Sequence, residues 1–236
     1  LGTYGTNEAP DLSESFSSFD SWVLENTLNY DRTFGKHTVS GMVGYSAQKD
    51  KSYGLNGSNS DLPKFIDTMT GNVTTMKSSS SIHEQALVSL FGRVMYTYDD
   101  RYLFSASIRR DGSSRFHKDH RWGFFPSLSG AWRISEESFM ESTRSWLDNL
   151  KIRLSWGKLG NSEIGNYEYM SVYSTTNAVF GNALNSALYM GAIANSLLQW
   201  ESTTSVNFGV DVNLLKDRLS ISADLYQKKT DGILYR

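Results

Sequence analysis

The chain contains no cysteine and only three prolines among 236 residues. Without thiols there are no disulfides, no thiolate metal sites and no cysteine nucleophile. Neither sign of charge dominates: 23 Lys and Arg against 25 Asp and Glu leave a net charge of −2. That balance gives no electrostatic case for nucleic acid, which calls for a clustered basic surface. No run approaches the roughly 18 uninterrupted apolar residues of a transmembrane helix. Spans built from strands survive this test, because a barrel strand hides every second residue from lipid. Leu1-Gly2-Thr3-Tyr4 lacks the basic and apolar regions of a signal peptide. The expectation is a mature chain or an internal piece of a longer one.

What is present is a two-residue alternation that returns in segment after segment. In Leu150-Lys151-Ile152-Arg153-Leu154-Ser155-Trp156, the even positions are large and apolar and the odd ones polar or charged. Val206, Phe208, Val210, Val212 and Leu214 repeat the pattern, as do Leu219, Ile221, Ala223 and Leu225. Successive side chains of a strand point to opposite faces, so each segment has one apolar and one wet face. In a soluble sandwich the apolar face meets a second sheet. In a membrane barrel it meets lipid, and the polar face lines water.

About eight strands follow from this reading. They run roughly over Phe19–Asp31, His37–Gln48, Ile82–Tyr98, Arg101–Arg109 and Trp122–Ile134, then from Leu150, through Val206–Leu214 and from Leu219. Connections are short at 34–37, 99–100 and 216–218, moderate at 136–149, and longer at 49–81, 111–121 and 160–198; residues 1–16 read as loop. The moderate connector has room for a helical turn or two. Alternating short turns and long loops gather the long loops at one end of the sheet, as in bacterial outer-membrane barrels. Trp22, Tyr45, Trp122, Phe124, Trp156 and Trp200 then fall near the long-loop end. Tyr30, Phe34, Tyr96, Tyr98, Tyr102 and Trp132 fall near the short turns. Two aromatic bands match the interfacial girdles of a membrane barrel.

Arg109-Arg110-Asp111-Gly112-Ser113-Ser114-Arg115-Phe116 and Arg121-Trp122-Gly123-Phe124-Phe125-Pro126-Ser127 resemble the SusC/RagA family of TonB-dependent outer-membrane transporters. The resemblance continues through Ala131–Glu137, Leu147–Arg153, Gly157–Asn161, Ile164–Tyr167, Trp200–Thr204 and Leu219–Lys229. Where such proteins show Asn-Pro-Asp-Leu before Trp-Glu, this chain has Asn195-Ser196-Leu197-Leu198, which leaves the path of that loop open.

The resemblance implies an all-β, antiparallel transmembrane barrel segment, with residues 1–236 forming part of a larger, 22-stranded barrel. The plug domain, the TonB box and the C-terminal strands are absent from it. It implies active import of glycans or peptides across the outer membrane, with long loops extracellular. The implied partners are a SusD-like surface lipoprotein, the TonB complex through the absent plug, an oligosaccharide or oligopeptide solute, and the lipid bilayer. No cofactor and no enzymatic step are implied. The alternative is a complete eight-stranded outer-membrane barrel with a structural or adhesive role. Such a barrel would have to be packed with side chains, whereas the inward rows are rich in Ser, Asn and Gly.

Catalytic chemistry has little footing in the residues. His117 and His120 flank Lys118 and Asp119 in a solvated stretch, and ordinary loop histidines explain them better than a metal does. The Ser78–Ser81 run has no partnered base. Gly41-Met42-Val43-Gly44 lies within a strand and lacks the Lys-Ser/Thr of a phosphate loop. A barrel enzyme would need a Ser-His-acid set, and none assembles from these residues. The inward rows carry Arg93, Arg109, Arg133, Lys151, Arg153 and Asp211, which either line the solute path or simply keep the lumen wettable. Tyr167, Tyr169, Tyr173, Phe180 and Tyr189 are candidates to stack on solute, against the plainer reading that they order their own loop. Ala183–Ala194 is unusually apolar for an external loop; a stretch of that kind either meets a partner such as a lid protein or packs back into the lumen.

Overall fold

The computed structural model describes residues 11–62, 68–70 and 74–234. Ten strands form: β1 (Leu12–Phe34), β2 (His37–Asn59), β3 (Lys77–Tyr98), β4 (Tyr102–Ser113), β5 (Trp122–Arg133), β6 (Leu147–Asn161), β7 (Val172–Phe180), β8 (Ala183–Ala192), β9 (Glu201–Leu214) and β10 (Leu219–Asp231). Eight of them make one sheet in the order β1-β2-β3-β4-β5-β6-β9-β10, with β7 and β8 a separate two-stranded sheet. Every pairing from β3 onward is antiparallel.

The eight-stranded meander is the one expected, but the strands are longer. β1 begins at Leu12 rather than near Phe19, β2 runs on to Asn59, and β3 starts at Lys77. Alternation marks a strand only where its two faces meet different media. Where both faces are polar, backbone pairing continues without that signal. The 160–198 excursion is corrected too: it holds the β7–β8 hairpin, turned at Gly181 and Asn182 with φ of 58° and 62°. That left-handed pair is the two-residue turn that suits a right-twisted hairpin. The moderate connector holds two 3-10 helical turns, Ile134–Glu136 and Ser138–Thr143. A closed eight-stranded barrel would pair β1 with β10. These strands instead stand at opposite edges of the sheet, so that alternative falls.

The chain divides into two compact units. In the first (Leu1–Trp22 with Lys49–Gln85), Asp50 accepts from Ser21 Oγ at 2.6 Å and from Gln85 Nε2 at 2.8 Å, and Glu84 pairs with Lys49 and Lys51 at 3.1 and 3.5 Å. In the second (Val23–Gln48 with Ala86–Arg236), register aligns the apolar side chains into continuous cross-strand rows. One row runs Ala106, Leu128, Trp156, Val206 and another Gly130, Leu154, Phe208, Leu225. Leu128, Leu154, Phe208 and Leu225 are 56%, 57%, 43% and 75% exposed. A sandwich would bury such rows beneath a second sheet. Here no layer covers them among the described residues, and hydrocarbon is the environment they fit.

At the short-turn end the expected aromatic band is built from rings with near-parallel planes. Tyr98 lies 6.3 Å from Tyr102, which lies 6.3 Å from Trp132, and Tyr96 Oη is 2.7 Å from His37 Nδ1. Beneath it, Tyr102 Oη and Trp132 Nε1 both donate to Glu137 Oε1, at 2.6 and 3.0 Å, and Arg101 Nη1 donates to Oε2 at 3.3 Å. The hydrogen bond from Tyr102, then that from Trp132, hold the Glu137 carboxyl below its ordinary value against the opposing effect of burial. A depressed folded-state value means this contribution is complete above the unfolded pKa of about 4.3 and is lost as pH falls through the folded value. Glu137→Gln is therefore expected to lower the thermal midpoint at pH 7 and to narrow that deficit below about pH 4, read by tryptophan fluorescence.

The Asp99-Asp100 turn sits at φ of 50° and 53°. Asp tolerates the left-handed region and a β-branched residue does not. Asp100→Val is expected to cost about 1–2 kcal/mol in urea unfolding, and Asp100→Gly close to nothing.

Candidate functional site: the inward face and the long-loop end

The inward rows carry ionic groups spent largely on one another. Lys151, Asp211 and Ser222 stand opposite one another on β6, β9 and β10, and Arg153, Gly209 and Asp224 form the next inward row. Arg153 grips Asp211 with both arms, Nε to Oδ2 at 2.8 Å and Nη2 to Oδ1 at 2.9 Å. Lys151 Nζ adds a contact at 3.1 Å and Ser222 Oγ donates at 2.8 Å. Arg153 also reaches Asp224 at 3.3 Å. Gly209 makes this possible: a Cβ there would stand 2.7 Å from Arg153 Nη2 and 2.7 Å from Asp224 Oδ1.

A second group lies on β3 and β4. Arg109 Nε donates to both Asp111 oxygens at 2.8 Å, its Nη2 donates to Ser89 Oγ at 2.9 Å, and its guanidinium lies 5.5 Å from the Phe91 ring. Phe91, an apolar residue on a polar face, fits because it covers Gly44, where a Cβ would come within 2.3 Å of the ring.

The six inward charges thus separate. Lys151, Arg153 and Asp211 form one cluster and Arg109 belongs to another. Arg133 donates to Asp100 O at 3.3 Å near the short turns. Arg93 is exposed and makes no ion pair among the described residues.

The five loop aromatics do not converge. Tyr169 stands edge-on to His117 at 6.0 Å, and His117 Nδ1 lies 3.2 Å from Asp119. Tyr167 sits at φ 70° in the preceding turn. Tyr173 pairs with Met190, whereas Tyr189 pairs with Ser174, so the two tyrosines project from opposite faces of the hairpin; Phe180 closes its tip. The hairpin is ordered by its backbone ladder rather than by ring packing. Tyr173, Val179, Leu184, Leu188 and Met190 stand exposed on one of its faces, interrupted by Thr175, Asn177 and Ser186. From Tyr169 to Trp200 there is no charged residue.

One cluster escaped the sequence reading. Phe116 is fully buried, with Trp200 5.4 Å away; Trp200 in turn lies 5.3 Å from Phe125 and donates from Nε1 to Arg121 O at 2.8 Å. Trp200 is therefore part of a core under the long loops and not the interfacial anchor its position implied. Glycines at 123 and 160 admit the Phe125 ring, since a Cβ on either would come within 2.3 and 2.0 Å of it. Arg115 Nη1 ties the neighbouring loop by donating to Ser162 O at 3.1 Å. The glycines beside aromatics were visible in the sequence, but their partners were not.

The comparisons with known proteins agree with this architecture. The model of the family described as TonB dependent receptor-like, beta-barrel, matches residues 1–236, and the chain belongs to that family. It is 38% identical over 228 residues to TonB-dependent receptor P39 of Formosa agariphila, covering 94% of this chain and 21% of that protein. It is 43% identical over 153 residues to TonB-dependent receptor SusC of Bacteroides thetaiotaomicron, covering 63% of this chain and 15% of that one. Among solved structures, that of the RagAB peptide transporter matches with a TM-score of 0.84 at 26% identity, covering 94% of this chain and 25% of that one. The chain thus spans about a fifth of the length of the curated relatives it matches. Membership implies the outer membrane.

Proposed function

We propose that residues 1–236 are part of the barrel wall of a longer, TonB-energised importer in the outer membrane, taking up glycans or peptides with a SusD-like surface lipoprotein. The observation that carries this reading is the contrast between the two faces of one sheet. Uncovered apolar rows face one way, and a wet, ion-paired surface faces the other. The likeness to SusC and to RagAB, named a peptide transporter, supports import as the activity. TonB acts through a plug domain outside these residues, and solute passes along the inward face that bears Arg93, Arg109, Arg133, Lys151, Arg153 and Asp211. The long loops are extracellular in this reading, and Tyr167, Tyr169, Tyr173, Phe180 and Tyr189 are the aromatics offered to solute there. Uptake of the cognate oligomer by the whole transporter is expected to stop when a protonophore collapses the inner-membrane gradient. Uptake that persists would contradict a TonB-driven mechanism.

The β7–β8 hairpin is the surface we assign to the lipoprotein. It is free of charge, carries exposed apolar side chains on one face, and is too short and interrupted to span a bilayer. Replacing Val172–Ala192 by a short Gly-Ser link is expected to reduce co-purification of the lipoprotein while the barrel still assembles. Full recovery with an assembled barrel would contradict the assignment.

A further inference from the structure

The outward rows of β4, β5, β6 from Leu150, β9 and β10 carry charge at only four positions: Arg110, Lys158, Lys229 and Asp231. All four lie toward the long-loop end, and three are cations. Lys158, Thr204 and Lys229 stand opposite one another at one level, with Arg110 beside Phe124 close by. Lys229 pairs with Asp231 at 3.0 Å. Arg110 and Lys158 have no carboxylate partner among the described residues; Arg110 lies 4.5 Å over the Trp122 ring.

Beside Lys158 opens a hollow of about 440 Å³ walled by Trp122, Phe124, Phe125 and Trp200, with Asp119 and Asp231 also in its lining; Arg110 lies over the Trp122 ring of that wall. Asp119 is taken up by His117, as Asp231 is by Lys229. Further down the same face lies an apolar groove of about 710 Å³, floored by Ala106 and Gly130 between Phe104, Leu128, Trp132 and Leu154. Phe104 is six residues below Arg110, about 20 Å along an antiparallel strand. That is slightly more than one leaflet of a hydrocarbon core about 30 Å thick.

We infer that this stripe is a binding site for a phosphate-bearing lipid of the outer leaflet, with Arg110 and Lys158 holding the phosphate and the groove an acyl chain. The inference rests on the outer-membrane reading above. An unpaired cation at the end of a lipid-facing row is stabilised by an anionic headgroup at its level, which long Arg and Lys stems let the charge rise to meet. Small residues at 106 and 130, flanked by large ones, leave a channel where a chain can lie. On the inward face Arg109, Lys151 and Arg153 are taken up by Asp111, Asp211 and Asp224.

The test uses the whole transporter, purified in a neutral detergent and exposed in turn to phosphorylated lipid A, dephosphorylated lipid A and inorganic phosphate. Bound lipid is counted by native mass spectrometry. The wild type is expected to retain the phosphorylated lipid on the order of tenfold better than the dephosphorylated one. R110Q/K158Q is expected to lose that preference, while K228Q, on the inward face of β10, keeps it. Equal retention of both lipids by the wild type, or a preference unchanged in R110Q/K158Q, overturns the proposal. Displacement by millimolar inorganic phosphate also overturns it, marking a free-anion site instead. Should the double variant fail to assemble, the wild-type comparison of the two lipids decides alone. Fractionation of the source cells scores the outer-membrane reading separately from this lipid preference.

Discussion

Leu154→Arg in the whole transporter is expected to block assembly, while Ser155→Arg one residue along assembles normally. Leu154 is 57% exposed on an outward row, between Gly130 and Phe208 of the flanking strands. An arginine near the middle of a lipid-facing strand costs about 2–4 kcal/mol. Ser155 lies on the inward face, beside Ser129 and Asn207, where an added cation meets water. Heat-modified mobility on gels separates assembled from unassembled protein. Equal behaviour of the two neighbours would mean that the faces have been assigned the wrong way round.

Phe116→Ala is expected to loosen the long-loop end without unfolding the sheet. Phe116 is fully buried against Trp200, and truncating a buried Phe costs about 3–5 kcal/mol. Applied to a loop core, that is on the order of a hundredfold or more in the local opening equilibrium. Limited proteolysis on intact cells should therefore cut within 111–121 or 160–170 much faster than in the wild type. Heat-modified mobility should stay unchanged. An unaltered cleavage rate would show that the Phe116–Trp200–Phe125 cluster does not hold these loops.

The eight strands of the sheet were legible because each divides two unlike media, so apolar and polar residues alternate in phase. Leu150–Trp156 and Val206–Leu214 show this without help from any other signal. The signal fades where β1, β2 and β3 run on through polar sequence, as at Lys49–Asn59, whose buried positions are the polar Asp50 and Asn59. It fades again in β7 and β8, where Ala, Asn, Ser and Thr mix on both faces and only Gly181-Asn182 announces a turn. Among the site residues, the inward position of Lys151, Arg153 and Asp211 followed from alternation. Their gathering into one cluster depended on register and on the space left by Gly209, which no single segment reveals. Trp200 was misplaced for a related reason. An aromatic at a strand end suits a membrane interface and a loop core equally well, and only the rings of Phe116 and Phe125 decide between them.

The absence of cysteine from these residues makes the central claim directly measurable. Single cysteines placed in turn from Lys151 to Trp156, in the assembled transporter, can carry a spin label at each position. Collisions with oxygen, which concentrates in lipid, and with a water-soluble nickel chelate then report which medium each side chain meets. A strict two-residue alternation is predicted, with oxygen favoured at Ile152, Leu154 and Trp156 and the chelate favoured at Lys151, Arg153 and Ser155. A flat profile, or one with its phase reversed, would contradict a sheet whose one face is lipid and whose other face is the solute path.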